Sequence, residues 1–572
     1  MKKLLLAGLG IIVCFHLANN FIWLSQDNTM SGIDVPNHLY YQSKFHVMFK
    51  KTVLNKTDVF LFNVPGFLRL MHHPMSSDGC VYWPNSLYFS STLFTLVFGC
   101  SLFAAKSSMS LYLVLLLFSV YGIGRKLGDR ATGVLAAFFV SMYPLIFESS
   151  RQYGLDLPLT AIVCLALLLL LKTEHFSSLK YSVLLGVAAG IGMLIKGQFS
   201  LFFAAPFLVI LARSLKERRD KPNPRFFLNL SLFILIAALL ASVWWIGRVK
   251  IAWDWLILHF SSRSRFFENA ALTEMHDWKV YLYTLKVLVF DSTGIVLAAV
   301  SAVSLAAFMR SKDKLRTFFF LWIIVPLFLF SFLIVVKFDR FLMPFLPALA
   351  VISAWGIQQL RPKRVKITLM VLLALFAALQ YYTLSYSKFG GNNWQRSVRN
   401  YPVFISSSYG RSFLSYPGKP YYDLEKLKIT RQAVDIIAGS CGGNCKTGLV
   451  LLNNKFGPFE ALYWMYHFNR RVRVIDWVGD YSVFYRELPD FEYVIVSADY
   501  RQNLIWPVDK QFLSFSHQLG APNFRLVGTL SGWEDNFKRL VQAKDDFKLI
   551  STLDAGDGIF WYIHKRKEKN ER

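Results

Sequence analysis

The stretch Ile33-Asp34-Val35-Pro36-Asn37-His38-Leu39-Tyr40-Tyr41 follows the first hydrophobic segment of the chain. It places a carboxylate immediately outside a predicted membrane span and continues into an amphipathic run. A carboxylate at a membrane face is costly unless it is solvated, paired or used. Asp34 is therefore a candidate functional acid. We expect the rest of the chain to be a scaffold that holds a lipid-borne substrate over it.

The composition is that of a membrane protein. Of the 572 residues, 54% are hydrophobic and 16% aromatic, and the mean hydropathy is +0.38. Soluble domains do not sustain this apolar content, and repeated apolar stretches of about 18 residues or more are typical of membrane helices. The sequence therefore predicts a polytopic α-helical membrane protein.

Positive charge is concentrated in the short loops between apolar segments. The formal net charge is +27. The basic segments hold 21 Lys and Arg against 5 Asp and Glu, and they are the N-terminus and loops 124–130, 172–180, 213–227, 310–316 and 361–366. Such an excess is typical of cytoplasmic loops. The pattern predicts a cytoplasmic N-terminus and argues against nucleic acid as a partner.

About eleven membrane spans are predicted from the apolar segments. The first, residues 4–23, has no small-residue cleavage site after it and is predicted to be an uncleaved signal anchor. The further spans are 107–124, 131–147, 157–171, 180–195, 199–212, 227–247, 284–309, 317–336, 341–360 and 367–384. Together they make a transmembrane module over residues 1–384.

Two large loops are predicted outside the membrane, at 24–105 and 248–283. The first contains two amphipathic pieces, 37–50 and 84–99, which we expect to be helices lying in the membrane interface. The second piece is apolar but short for a span and is bounded by Pro and Gly, and a true span is the alternative. Counting it as one would move every later basic loop to the outside, against the charge rule.

Residues 385–572 carry charges throughout and no span-length apolar run, and their alternating helix and strand patterns predict a C-terminal extracytoplasmic α/β domain. A helical pattern at 431–439 precedes predicted strands at 447–452, 472–477, 493–497 and 525–530 and a closing hairpin at 547–553 and 558–564. Cys441 and Cys445 share a tight loop. A disulfide is expected there if the loop is on the oxidising side, and a zinc pair is the alternative.

Two of the acids on the predicted outer side stand out, Asp34 and Asp156. An aspartate can serve as the general base of a sugar transfer when it reaches the acceptor hydroxyl. For Asp156 the alternative interpretation is structural, because an aspartate before Pro158 can cap the start of a helix.

Lys196 and Arg340 are cations at predicted outward helix ends, beside Gly or Pro turns. Such cations commonly extend to lipid headgroups. The functional alternative is a clamp on a lipid phosphate, in which Arg supplies a two-pronged fork and Lys a point charge. His259, Arg263 and His276 in the loop 248–283 are candidates to extend that site.

The chain resembles integral-membrane glycosyltransferases of the GT-C fold, in particular the bacterial protein-mannosyltransferase-like group that includes lipid A aminoarabinose transferases and Rgt-type lipopolysaccharide glycosyltransferases. The motifs that carry this resemblance are Asp34 with His38-Leu39, Tyr82-Trp83-Pro84 with Leu87-Tyr88, Gly124-Arg125-Lys126-Leu127-Gly128, Leu155-Asp156-Leu157-Pro158, Gly192-Met193-Leu194-Ile195-Lys196-Gly197 and Arg340-Phe341-Leu342-Met343-Pro344. Their order over residues 1–360 matches the order in that group.

The resemblance implies a hexosyl- or pentosyltransferase of the bacterial inner membrane. It would take a polyprenyl-phosphate sugar donor, act on a glycolipid, lipopolysaccharide or protein acceptor, and work by an inverting single displacement. Asp34 would be the base, while Asp156 would position a substrate or hold a divalent cation. Lys196 and Arg340 would stabilise the leaving phosphate, and His38 and Tyr82 are candidate substrate contacts. A catalytically inactive relative that binds lipid-linked sugar, or a transporter, is the alternative.

Overall fold

The structure is a computed structural model. It describes residues 2–30, 35–54, 63–73, 84–220, 224–250, 253, 284–285, 287–333, 339–386, 424–441, 445–451, 463–465, 472–476, 491–499, 546–554 and 559–567. The architecture below refers to these residues.

The described chain is mostly helical. The helices are α1 Lys2–Ser25, α2 Val35–Thr52, α3 Val64–His72, α4 Ser86–Phe98, α5 Leu102–Ser107, α6 Met109–Leu127, α7 Arg130–Met142, α8 Pro144–Ser149, α9 Asp156–Lys172, α10 Leu179–Ile195, α11 Phe199–Asp220, α12 Phe226–Trp245, α13 Ile295–Arg310, α14 Arg316–Phe328, α15 Leu346–Gln358, α16 Lys363–Tyr386 and α17 Leu424–Gly439.

Seven segments are long and apolar enough to cross a membrane, by length and composition. They are Leu5–Ser25, Leu102–Leu127, Phe199–Arg218, Phe226–Trp245, Arg316–Leu333, Arg340–Gln358 and Lys363–Tyr386. Shorter apolar helices, including α7, α10 and α13, lie between them. The predicted polytopic helical class is confirmed, and the total of about eleven spans stays a prediction.

Two predicted spans are interrupted in the structure. The span predicted at 284–309 is wrong as a single helix, because a π-helical turn at Leu288–Ser292 ends before Gly294, whose φ is +77°. Glycine adopts this backbone conformation at little cost. The span predicted at 131–147 divides between α7 and α8. Tyr143 is extended there, as expected of a residue that precedes a proline.

The first loop is more helical than predicted. The amphipathic pieces at 37–50 and 84–99 are confirmed as helices α2 and α4, and α3 lies between them without having been predicted. Polar contacts join α2 to α4. The Gln42 Nε2 atom donates to Thr95 Oγ1 at 3.1 Å, and His46 Nδ1 lies 2.8 Å from the same oxygen. The loop is therefore a packed part of the molecule, since most of α2 is buried.

The described C-terminal strands form one five-stranded sheet in the order β2-β1-β3-β5-β4. The strands are β1 Cys445–Leu451, β2 Val472–Asp476, β3 Tyr493–Asp499, β4 Phe547–Asp554 and β5 Ile559–Arg566. Strands β1, β2 and β3 are parallel, and β5 pairs antiparallel with β3 and β4. With α17 before β1, the predicted α/β class and closing hairpin are confirmed. The strand predicted at 525–530 lies outside the described residues.

Cys441 and Cys445 form a disulfide that joins the end of α17 to the start of β1. The disulfide predicted for this loop is therefore the arrangement observed, rather than the zinc pair.

Candidate functional site

The site begins at the first turn of α9. Leu155 occupies the capping position, and Asp156 is the first helical residue, without a capping hydrogen bond from a side chain. The structural interpretation of Asp156 as the residue that caps α9 is therefore wrong. Its carboxylate is turned toward other elements of the molecule instead.

Asp156 is paired with both predicted phosphate-binding cations. The Lys196 Nζ atom lies 2.7 Å from Asp156 Oδ1, and Arg340 Nε lies 3.6 Å from Asp156 Oδ2. The side chains of Lys196, Arg340 and Asp156 are 4%, 11% and 13% exposed. Because these side chains are shielded from bulk water, their charges interact more strongly than they would at a surface. The structure thus brings three of the predicted residues together.

Local sequence explains the position of Lys196. α10 ends at Ile195, and Lys196 is extended, with φ of −160°. A Cβ atom on Gly192 would lie 2.3 Å from the Phe199 ring. Only glycine therefore allows the first residue of α11 to fold back against α10. This tight turn presents Lys196 to α9.

Arg340 comes from the 3₁₀ turn Asp339–Phe345, which precedes α15. The neighbouring Phe341 is buried and contacts both cations. Its ring centroid is 5.0 Å from Lys196 Nζ and 5.7 Å from Arg340 Cζ. Cations over an aromatic face gain electrostatic energy from the ring. Phe341 therefore helps to hold the two cations beside Asp156.

A small cleft of about 30 Å³, with room for about two water molecules, opens beside these charges. It is lined by Val35, His38, Ser149, Gln152, Tyr153, Gly154, Leu155, Asp156, Leu157, Lys196 and Arg340. His38 is 2% exposed, and its Nδ1 atom lies 2.9 Å from the Tyr88 hydroxyl. The predicted substrate contact at His38 therefore lies at the same cleft as the charges.

Tyr153 is the aromatic residue in the loop before α9. Its hydroxyl forms a hydrogen bond with Ser91 Oγ in α4. Burial raises the pKa of Tyr153 well above its usual value, so that it stays a neutral phenol. The contact fixes the cleft wall to the helix that carries Tyr88.

The basic loops lie at the other end of the bundle. A second cleft, of about 650 Å³, is lined by residues that include Lys126, Glu174, Arg213 and Lys314. Leu170 and Leu171, in the last turn of α9, also line it. At 17 residues, α9 separates the two clefts by about 25 Å. Four of the loops predicted on the cytoplasmic side therefore meet at the end of the molecule opposite Asp156, namely 124–130, 172–180, 213–227 and 310–316.

Five predicted site residues lie outside the described residues. They are Asp34, Tyr82, His259, Arg263 and His276. Their roles remain predictions.

The described residues do not fit a divalent cation on Asp156, because each carboxylate oxygen already faces a cationic nitrogen. Elsewhere in the described chain, Cys441, Cys445 and Glu492 approach metal-binding spacing, but the two sulfurs are bonded to each other. No role was predicted for Arg151 from the sequence. The only indication in the sequence was that Arg151 is a cation five residues before Asp156.

Residues 84–245 match the family model described as dolichyl-phosphate-mannose-protein mannosyltransferase. No curated protein matches the chain. Among solved structures, the chain is similar to ArnT from Cupriavidus metallidurans in the apo state, with a TM-score of 0.54 and 14% identity over 97% of each chain. The same protein bound to undecaprenyl phosphate gives a TM-score of 0.54 and 13% identity, again over 97% of each chain.

These similarities confirm the predicted resemblance. The chain is a multi-pass membrane protein with the GT-C fold that ArnT has, and its C-terminal part includes a five-stranded sheet.

Proposed function

We propose that the chain is a glycosyltransferase that moves a sugar from a polyprenyl-phosphate donor to an acceptor hydroxyl. The observation that carries this proposal is the pairing of Lys196 and Arg340 around Asp156 at the mouth of a cleft. The match to the protein-mannosyltransferase family model and the likeness to ArnT, one of whose structures binds undecaprenyl phosphate, support it.

Lys196 and Arg340 act on the leaving group. A sugar phosphodiester carries one negative charge, and the lipid phosphate that departs carries nearly two near neutral pH. Cations fixed in place before the reaction stabilise this developing charge without reorganising. Asp156 is the counter-ion that holds both cations in place while the cleft is empty. When the lipid phosphate arrives, its oxygens share the two cations with the Asp156 carboxylate.

Asp34 is proposed as the general base. The chain enters α2 at the cleft, because Val35 and His38 both line it. In the reaction, the acceptor oxygen forms a bond to the anomeric carbon and its proton passes to the Asp34 carboxylate. The bond between the anomeric carbon and the phosphate oxygen breaks, and its electron pair remains on the lipid phosphate. Attack from the face opposite the leaving group inverts the anomeric configuration.

The substrate classes follow from the same chemistry. The donor is a hexosyl or pentosyl polyprenyl phosphate, and the acceptor is a hydroxyl of a glycolipid, a lipopolysaccharide or a protein. We place the cleft on the extracytoplasmic face of a bacterial inner membrane, because the basic loops lie at the opposite end of α9.

The test is transfer of labelled sugar in membranes that contain the full chain and a panel of polyprenyl-phosphate sugars. The wild type, Asp34→Asn and Asp156→Asn are compared at equal protein levels. We expect transfer by the wild type and its near-complete loss in Asp34→Asn. Asp156→Asn should keep binding polyprenyl phosphate but transfer sugar more slowly. Full transfer by Asp34→Asn would remove the base assignment, and no transfer by folded wild type with any donor would refute the function.

A further inference from the structure

Arg151 lies in the loop between α8 and α9, five residues before Asp156, and is 1% exposed. Its side chain reaches two helices that are distant in sequence. Nε donates to Asn20 Oδ1 in α1 at 3.0 Å, and Nη1 donates to Ser385 Oγ in α16 at 2.8 Å. Nη2 donates to the hydroxyl of Tyr381, also in α16. One guanidinium therefore joins the loop to the first and the last helix of the transmembrane module.

Other contacts reinforce the same junction. Asn20 Nδ2 donates to Ser150 Oγ at 2.8 Å, so α1 holds the loop at two neighbouring residues. The Trp23 indole donates to the Ser385 carbonyl at 3.1 Å, which links α1 directly to α16. The rings of Trp23 and Tyr381 lie 5.3 and 5.0 Å from Arg151 Cζ. The guanidinium is thus enclosed by aromatic rings and held in a single orientation.

The loop held in this way forms a wall of the cleft. Ser149, Gln152, Tyr153, Gly154 and Leu155 line it, and Asp156 follows. This loop leads directly into the first turn of α9, where Asp156 pairs with Lys196 and Arg340. A lysine at position 151 has a single charged nitrogen, whereas the planar fork of arginine donates in several directions at once.

We propose that Arg151 is a positioning residue. It fixes the loop 150–155 against α1 and α16, and so sets the position of Asp156 between Lys196 and Arg340. Its effect on turnover rests on the proposed function, whereas its effect on the loop does not.

Two tyrosines of α16 provide a matched test. Tyr381→Phe removes one acceptor of Arg151. Tyr386→Phe also removes a hydroxyl from α16, but the Tyr386 hydroxyl donates to Asn19 Oδ1 of α1 at 3.1 Å, whereas the Tyr381 hydroxyl accepts from Arg151. Each change removes one hydroxyl contact of α16, to Arg151 of the loop in Tyr381→Phe and to Asn19 of α1 in Tyr386→Phe. Hydrogen exchange of the peptide covering 148–156 is measured in purified full-length protein, together with the thermal midpoint.

We expect faster exchange at 148–156 in Tyr381→Phe and exchange like that of the wild type in Tyr386→Phe. In the transfer assay, Tyr381→Phe should lose about tenfold in kcat, as expected from one hydrogen bond to a charged group, with the acceptor KM little changed. Arg151→Lys should fold and still show faster exchange at 148–156. A merely structural role would lower the thermal midpoint of both tyrosine variants alike and leave kcat per folded molecule unchanged.

Equal exchange at 148–156 in the two tyrosine variants, or wild-type exchange and turnover in Arg151→Lys, would overturn the inference. A wild type that transfers no sugar would refute the proposed function instead, and the exchange comparison would still decide the role of Arg151.

Discussion

The substitution Lys196→Met separates the electrostatic contribution of Lys196 to catalysis from the contribution of its packing. Methionine retains most of the aliphatic stem, so the contact with Phe341 is largely kept while the charge is lost. The lost charge lies 2.7 Å from Asp156 Oδ1 at a position only 4% exposed. Without the Lys196 ammonium, Arg340 remains beside the Asp156 carboxylate. The negative charge of Asp156 then repels the incoming phosphate.

The expected loss in rate follows from the charge that the leaving phosphate gains. A unit charge about 4 Å from the Lys196 ammonium interacts by about 4 kcal/mol at an effective dielectric constant of about 20. Removal of one preorganised donor to a developing anion costs about 2.7–4 kcal/mol, or about 10²–10³ in kcat. We therefore predict that kcat falls by about 10²–10³ in Lys196→Met. Lys196→Arg, which keeps the charge, should retain more activity than Lys196→Met.

The assay is steady-state transfer from a labelled polyprenyl-phosphate sugar by protein reconstituted in liposomes, normalised to folded protein. Lys172→Met is the matched control, because Lys172 lies in the last turn of α9, at the end opposite Asp156. Its kcat should stay within about twofold of the wild type, as is usual for substitutions away from a site. If Lys196→Met also stayed within about twofold, Lys196 would not stabilise the leaving group.

Two further predictions concern the scaffold. Lys106 and Asp27 form a buried pair at 2.7 Å, with side chains 1% and 0% exposed. Lys106→Met alone should destabilise the protein by about 3–5 kcal/mol, because it leaves the buried Asp27 charge without its counter-ion. Adding Asp27→Asn should recover part of that loss, and thermal midpoints in detergent that fall further in the double variant would contradict this reasoning. Gly294→Ala should lower the thermal midpoint, because φ is +77° and the new Cβ would lie 2.5 Å from Gln380 Oε1. Gly10→Ala, whose Cβ would meet nothing within 4 Å, is the control and should change the midpoint little.

The sequence was sufficient for the features that depend on local pattern. Apolar segments and basic loops predicted a polytopic helical protein, and alternating helix and strand patterns predicted the C-terminal α/β class. The acids and cations at helix ends were recognised because charged residues at a membrane boundary are costly and therefore informative. Asp156, Lys196 and Arg340 were each singled out on this ground.

The relations among these residues could not be predicted. Lys196 is 40 residues from Asp156, and nothing in either segment indicates that the cation faces this carboxylate. Each residue had a plausible separate explanation, a cap for Asp156 and headgroup contact for Lys196. Arg151 was harder still, since its partners lie 131 and 234 residues away. The interruption at Gly294 was missed although Asp291, Ser292 and Thr293 precede it, and such a polar cluster beside glycine is a sign of a break.

The central claim is that the sugar comes from a lipid-phosphate donor. The most direct measurement is the amount of lipid phosphate released for each sugar transferred. Reconstituted wild-type protein is given a polyprenyl-phosphate sugar and its acceptor, and polyprenyl phosphate and glycosylated product are both quantified. We predict that one polyprenyl phosphate is released for each sugar transferred and that the anomeric configuration is inverted. Sugar transfer from a soluble nucleotide sugar without release of polyprenyl phosphate, or transfer with retained configuration, would contradict it.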